Sequence, residues 1–446
     1  MSALPIAFVA ALFAVSIWRP AWAFAVVLSM FPLEIVIQSG VPYFVTNPWV
    51  FNVAVAMLAG VAIVRRVLGG ESPFANLGSA ALVSSWCFFL WGSLSTLWAP
   101  SGGEVERLVL APLPYWIVFI VIAPMMLGRV EELRSVVNAL LAVGVFTCLL
   151  IIFSPQFDLV SGRLGIRLAA GDRTNPLAIG TMGGTLMVVG ALTLFSTRNT
   201  LGIVYRGSAI VLGAGVGILS GSRGQVVFAA LTILLCIPLS YRLANARGFL
   251  LTVLSGLVVV GGLYFAASRF IGSDNEDRWR LDELAAGGSG RVDNVLELLT
   301  AYVESPAHWV QGLGFTAFGT LNTRSGDPYS HVMTVDALAE GGLIGAALLA
   351  WIVLTGFRNG RAISRAVSEL PAERAFASVL LGLSLYHFLL ANKQGSMLGT
   401  PILFGLLILM GRIRNDLDRR EPIWADEEVP EEFEHETQRV AVAGGA

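Results

Sequence analysis

Three side chains stand out for their chemistry: Arg223, Arg291 and His331. The turn Ser220-Gly221-Ser222-Arg223-Gly224-Gln225 interrupts two apolar runs and sets an arginine on a glycine-flanked bend with several backbone amides nearby. Guanidinium makes planar, bidentate bonds to phosphate, and the amides at a helix start add donors and a favourable dipole, so such a bend can hold an anion. The other reading of Arg223 is an interfacial arginine that snorkels to lipid headgroups. Ser289-Gly290-Arg291 precedes a predicted helix near 292–303, where Val292, Val295, Leu296, Leu299 and Val303 repeat at helical spacing and Pro306 stops the pattern. Arg291 is therefore a second candidate phosphate ligand projecting from a helix start, with an ion pair to Asp293 or Glu297 as the alternative.

His331 follows Asp327-Pro328-Tyr329-Ser330 and opens a run containing Asp336, Glu340, Gly341, Gly342 and Gly345. A histidine there can act as a base near neutral pH. On one continuous helix Glu340 would lie about half a turn from His331 and Asp336 about 140° away, so neither could orient the ring. Ionisable groups inside an apolar run default to a functional reading, the alternative being pairs with loop arginines. Arg173, Asn175, Lys393 and Glu340 complete the candidate substrate-binding set. Asn175 also reads as a helix cap, and Lys393 is the chain's only lysine. His387 reads as structural, and Glu34, near the outer end of the second apolar run, as a side chain that can snorkel. No carboxylate cluster or Asp-x-Asp pair on the outer face suggests a divalent ion, so metal-independent chemistry with no cofactor is expected.

The elements that must position these residues follow from composition. Of 446 residues 13% are charged, about half the roughly 25% of soluble domains. With 55% apolar residues, 48 glycines and a mean hydropathy of +0.72, the chain reads as an integral membrane protein rather than a soluble enzyme. A net charge of −2 and the lack of zinc-finger, RNP or helix-turn-helix patterns set nucleic acid aside. Cys87, Cys148 and Cys236 lie in apolar runs without CxxC spacing and read as core filler.

Apolar runs near 3–18, 21–37, 48–64, 77–98, 108–127, 134–153, 176–195, 203–220, 224–240, 248–268, 332–355, 375–391 and 400–411 predict an all-α polytopic bundle of about 12–13 transmembrane helices. The membrane domain is read as 1–411, with outer loops at 154–175 and 269–331, the larger containing short helices. The segment 412–446 reads as an acidic, disordered cytoplasmic tail. With that tail inside, alternation puts most of the 29 basic residues on the cytoplasmic face, and the candidate residues fall on the opposite face. Gly180 with Gly184, and Gly213 with Gly217, suit close helix packing.

The run from His331 to Gly345 resembles a signature of the O-antigen ligase and polymerase superfamily, with His331, Glu340, Gly342 and Gly345 in register. Ser289-Gly290-Arg291, the stretch from Pro306 to Gly312-Leu313-Gly314-Phe315, the turn Gly221-Ser222-Arg223-Gly224 and Asn175-Pro176-Leu177-Ala178 resemble further fragments of that family, in order. Two departures are the longer gap between Pro306 and Gly312 and Val332 in place of the usual asparagine after the histidine. The resemblance implies inverting glycosyl transfer at the periplasmic face of the bacterial inner membrane. The donor would be an undecaprenyl-diphosphate-linked glycan, and the acceptor a hydroxyl of another glycan or of lipid A core. It also implies that Arg223 and Arg291 meet the diphosphate charge while His331 takes or orients the acceptor's proton. The alternative from another class is a secondary transporter or lipid-linked glycan flippase.

Overall fold

In hydrocarbon every backbone N–H and C=O must be satisfied within the protein, and this chain does so with helices. The computed structural model describes residues 3–100, 109–110, 112–154, 157–160, 163–166, 176–196, 199–241, 250, 261, 281–321 and 329–419, without the side chains of 159, 160, 163, 166 and 281–290. It is an all-α polytopic membrane protein. In chain order the helices used below are α1 (Ala3–Trp18), α2 (Pro20–Leu28), α3 (Met30–Gly40), α4 (Pro48–Leu68), α5 (Ala80–Ser95), α6 (Leu113–Met125) and α7 (Glu132–Phe153). After them come α8 (Pro176–Thr193), α9 (Thr200–Leu219), α10 (Arg223–Ser240), α11 (Leu281–Val303), α12 (Pro306–Gln311) and α13 (Ala317–Leu321). The last four are α14 (Met333–Ala339), α15 (Gly342–Ala366), α16 (Pro371–Gln394) and α17 (Pro401–Arg419). Their boundaries have local causes: Ser79 caps α5 by accepting from the Leu82 amide at 3.2 Å, and Asn199 caps α9 by accepting from Leu201 at 3.1 Å.

Among the described residues seven helices, α4, α7, α8, α9, α10, α15 and α16, are long and apolar enough to cross a membrane. The pair α2 and α3 is long and apolar enough only when taken together and is bent by 81° at Ser29, the form of a broken span or a re-entrant loop. The predicted 12–13 spans exceed this number because three apolar runs form shorter helices, α1, α5 and α6. The 16 residues of α1 reach only about 24 Å against a hydrocarbon core of about 30 Å. The run near 248–268 lies outside the described residues, as does the tail beyond 419. The helix α17 outlasts its apolar run, and Arg412, 2% exposed, donates to the Pro124 carbonyl inside the bundle.

The helix α8 sits at the centre, packed on α7, α9, α10 and α16. Glycine makes this possible: a Cβ at Gly183 would meet the Gly213 carbonyl at 2.5 Å and the Gly217 amide at 2.9 Å. Two expected continuous runs are broken, that near 21–37 at Ser29 and that near 332–355 between α14 and α15, where Gly342 takes φ +67. The segment 154–175 contains a hairpin, Phe157–Val160 against Arg163–Ile166 in antiparallel register, anchored by buried Phe157 and Leu164.

The helix expected near 292–303 begins earlier, at Leu281. Gly287, Gly288 and Gly290 lie within it, each at a cost of about 1 kcal/mol relative to alanine. Its buried side is Leu298 and Tyr302, which with Phe318 and Ala339 form a small second core, while Val292, Leu296 and Val303 face outward.

Candidate functional site

One end of the bundle gathers most of the sequence-selected residues. Arg223 opens α10, half-buried, and the turn before it is tied down from both sides. Ser220 Oγ accepts from the Ser222 amide at 3.2 Å, and Ser222 Oγ donates to the Pro176 carbonyl at 2.9 Å. The fragment at 221–224 is thereby fastened to the start of α8, although Arg173 and Asn175 themselves lie outside the described residues. Lys393, in the last turn of α16, reaches the same place. Its Nζ donates to Gln225 Oε1 at 3.1 Å, and a Cβ at Gly224 would come within 2.9 Å of that Nζ. Gln225 Nε2 in turn donates to Gln394 Oε1 at 2.6 Å. Two cationic side chains, Arg223 and Lys393, thus share one helix-end platform with two amides.

Next to it lies the segment around His331. Asn392, the neighbour of Lys393, accepts from the Thr334 hydroxyl at 2.6 Å and the Thr334 amide at 3.2 Å, fastening α14 to the end of α16. His331 lies outside α14 in a left-handed backbone, φ +68, rather than on a helix continuous with Asp336 and Glu340. Ser330 Oγ donates to Asp336 Oδ1 and accepts from the Val332 amide at 3.2 Å, so both chain neighbours of His331 are held. The His331 ring meets Tyr329 edge-on, with centroids 4.6 Å apart. Helical angles therefore do not govern the relation of His331 to Asp336: the carboxylate fixes the histidine's backbone through Ser330.

Asp336 and Glu340 are almost fully buried, and no ion pair joins either to an arginine among the described residues, while most of the outer-loop arginines of the alternative reading lie outside those residues. Burial raises the Asp336 carboxyl well above its ordinary range, opposed by the Ser330 hydrogen bonds. Burial also raises Glu340, with the Asp336 charge second, while amide bonds from Phe318 and Thr316 oppose the rise. The Phe318 amide donates to Glu340 Oε1 at 3.2 Å. Glu340 lines a cavity of about 370 Å³ with Phe31, Tyr115, Thr316, Tyr329 and Ser396. Thr316 is β-branched yet has φ +67, a strained backbone beside the same cavity. A second cavity of about 250 Å³ shares Phe31, Gly399 and Pro401 with the first and is lined by Leu177, Met182, His387, Leu390 and Gln394.

The paired glycine fragments explain how this end is built. The Leu313 amide donates to the Ala339 carbonyl at 2.8 Å and the Gly314 amide to the Glu340 carbonyl at 3.0 Å. Gly312 (φ +80) and Gly342 (φ +67) lie back to back, and a Cβ on Gly312 would sit 2.5 Å from the Gly342 amide. The segments at 312–315 and 340–345, separate in sequence, are one backbone-to-backbone junction, braced by Trp91 Nε1 donating to the Gly341 carbonyl at 2.7 Å.

Arg291 departs from expectation. It is exposed in the interior of α11 rather than at its start, and no hydrogen bond or ion pair among the described residues joins it to Arg223 or His331. It does share the stripe of Leu298 and Tyr302, which pack towards α13 and α14, because residues seven and eleven apart return to nearly the same angle. Gln225, Gln394 and Thr316 were not singled out in the sequence. Gln225 stood in the Arg223 turn and Gln394 beside the only lysine, but the positive φ of Thr316 leaves no mark in the sequence. Among the described residues no group of three or more His, Cys, Asp or Glu side chains comes together.

Comparison with protein-family models gives no match, and neither does comparison with curated proteins.

Proposed function

We propose that the protein is a membrane glycosyltransferase that moves a glycan from a polyisoprenoid diphosphate to a hydroxyl of another glycan or of lipid A core, at the face opposite its basic end. What supports this reading above all is the joining of Arg223 and Lys393, through Gln225 and the Asn392–Thr334 bonds, to the His331 segment at one end of the bundle. Two adjoining cavities open beside these groups. In the reaction the acceptor oxygen attacks the anomeric carbon from the side opposite the diphosphate, so the configuration inverts. The anomeric carbon–oxygen bond breaks and its electron pair passes to the diphosphate, where Arg223, Lys393 and, from α11, Arg291 meet the developing charge. His331 takes the acceptor's proton. Glu340, with a raised pKa, holds a proton and can donate a hydrogen bond to a sugar oxygen. Positive charge collected around α4, α15 and α17 at the other end supports an extracytoplasmic site, because short cytoplasmic loops retain arginine.

The test is a reaction of purified protein with a lipid-diphosphate glycan and candidate acceptors in the presence of chelator, which should form a new glycosidic bond. Arg223→Ala and Arg291→Ala should each lower turnover by about 100-fold or more while the protein stays folded. Undiminished turnover in both variants rejects their roles. The 81° break between α2 and α3 beside a cavity favours a second reading as a transporter of lipid-linked glycans, since transporters place substrates at interrupted helices. Movement of donor across a proteoliposome bilayer without bond formation would establish that reading instead.

A further inference from the structure

We propose that the opposite end of the bundle carries a binding site for an anionic phospholipid with a two-phosphate headgroup, built on α15 and α17. Arg358, Arg361, Arg365 and Arg414 surround one pocket of about 340 Å³, with Ala362 as the remaining lining residue. Arg414 bonds Asn359 Oδ1 at 3.1 Å and pairs with exposed Asp418 at 3.3 Å. The three arginines of α15 have no ion-pair partner among the described residues. Two other arginines at this end are compensated by carboxylates: Arg66 meets Glu71 and Glu132, both at 2.5 Å, and Arg129 meets Glu71 at 3.7 Å. Four guanidinium groups line one pocket, only Arg414 being ion-paired, so they repel one another, and a multiply charged anion relieves that repulsion.

The occupant follows from what lies above the pocket on the same helix. At about 100° per residue, Leu343, Trp351, Leu354, Arg358, Arg361 and Arg365 fall within about 80° of arc. Leu343, Trp351 and Leu354 are 56%, 60% and 63% exposed, and the three arginines are exposed as well. One stripe therefore runs about 16 Å along apolar side chains from Leu343 to Leu354 and then becomes basic. That is the pattern of an acyl chain ending in a phosphate headgroup. Basic pockets between spanning helices bind such headgroups. A soluble anion would have no use for the apolar half of the stripe.

Native mass spectrometry of the full-length protein in detergent tests the site, with cardiolipin and phosphatidylcholine as the probes. Wild-type protein should retain cardiolipin and not phosphatidylcholine. The Arg358→Gln, Arg361→Gln, Arg365→Gln triple variant should bind about a hundredfold more weakly, and Arg361→Gln alone about fivefold. Arg65→Gln, outside the pocket, should leave binding unchanged, and the thermal unfolding of each variant reports folding separately. Equal retention by the triple variant overturns the proposal. So does displacement of cardiolipin by inorganic phosphate. Stronger binding when Glu427, Glu428, Glu431 and Glu432 are changed to Gln would also overturn it, because the acidic tail would then be the occupant.

Discussion

His331 is held by its neighbours in a backbone that a histidine rarely adopts. With φ +68 it depends on Ser330 and Asp336, whose hydrogen bonds fix the residue on either side. Asp336→Asn retains an acceptor for the Ser330 hydroxyl, so it should keep glycosyl transfer near the wild-type rate. Asp336→Ala releases the clamp and should lower kcat by about 100-fold with KM little changed, measured by steady-state kinetics on both variants. Asp336 should also leave a signature in stability. Burial lifts its pKa from 3.8 to about 7, so the folded state holds the proton more tightly than the unfolded state. Its contribution is then fully present below the unfolded value and is lost as pH rises through about 7. Thermal unfolding in detergent should show a midpoint that declines over this window in wild type and declines less in Asp336→Asn.

At the scale of elements, the junction between the segment after α12 and the break before α15 decides the shape of the site. Gly342→Ala would force a Cβ at φ +67 against the Val310 carbonyl and the Gly312 amide. The expected loss is about 2 kcal/mol or more of stability, with loss of activity. Gly207, inside α9 with nothing within 4 Å of its would-be Cβ, is the contrast: Gly207→Ala should be neutral or stabilising by up to about 1 kcal/mol. Unfolding midpoints of the two variants check both statements, and equal effects would show that the junction is not strained.

For the whole molecule, the arrangement is a bundle with two chemically different ends. One end carries the paired arginines and carboxylates around Arg66, Glu71 and Glu132, and the other carries the Arg223, Lys393 and His331 groups. If arginine retention sets the orientation, a cysteine at exposed Thr300 on α11 should react with a membrane-impermeant maleimide on intact cells. A cysteine at exposed Ala366, at the end of α15, should react only after permeabilisation. The reverse pattern would place the candidate site in the cytoplasm and remove the proposed donor and acceptor from its reach.

The sequence alone determined the helical membrane class and most helix positions, because runs of apolar side chains and their breaks act locally and bury themselves without regard to distant partners. It also marked Arg223, His331, Glu340 and Lys393, since ionisable groups are conspicuous in so apolar a chain. Tertiary structure alone decided that Lys393 joins the Arg223 turn, that Asp336 restrains His331, that Gly312 meets Gly342, and that Arg291 lies exposed inside α11. Those outcomes depend on backbone angles and on close approach between segments far apart in the chain, neither of which is encoded in the periodicity of any one segment.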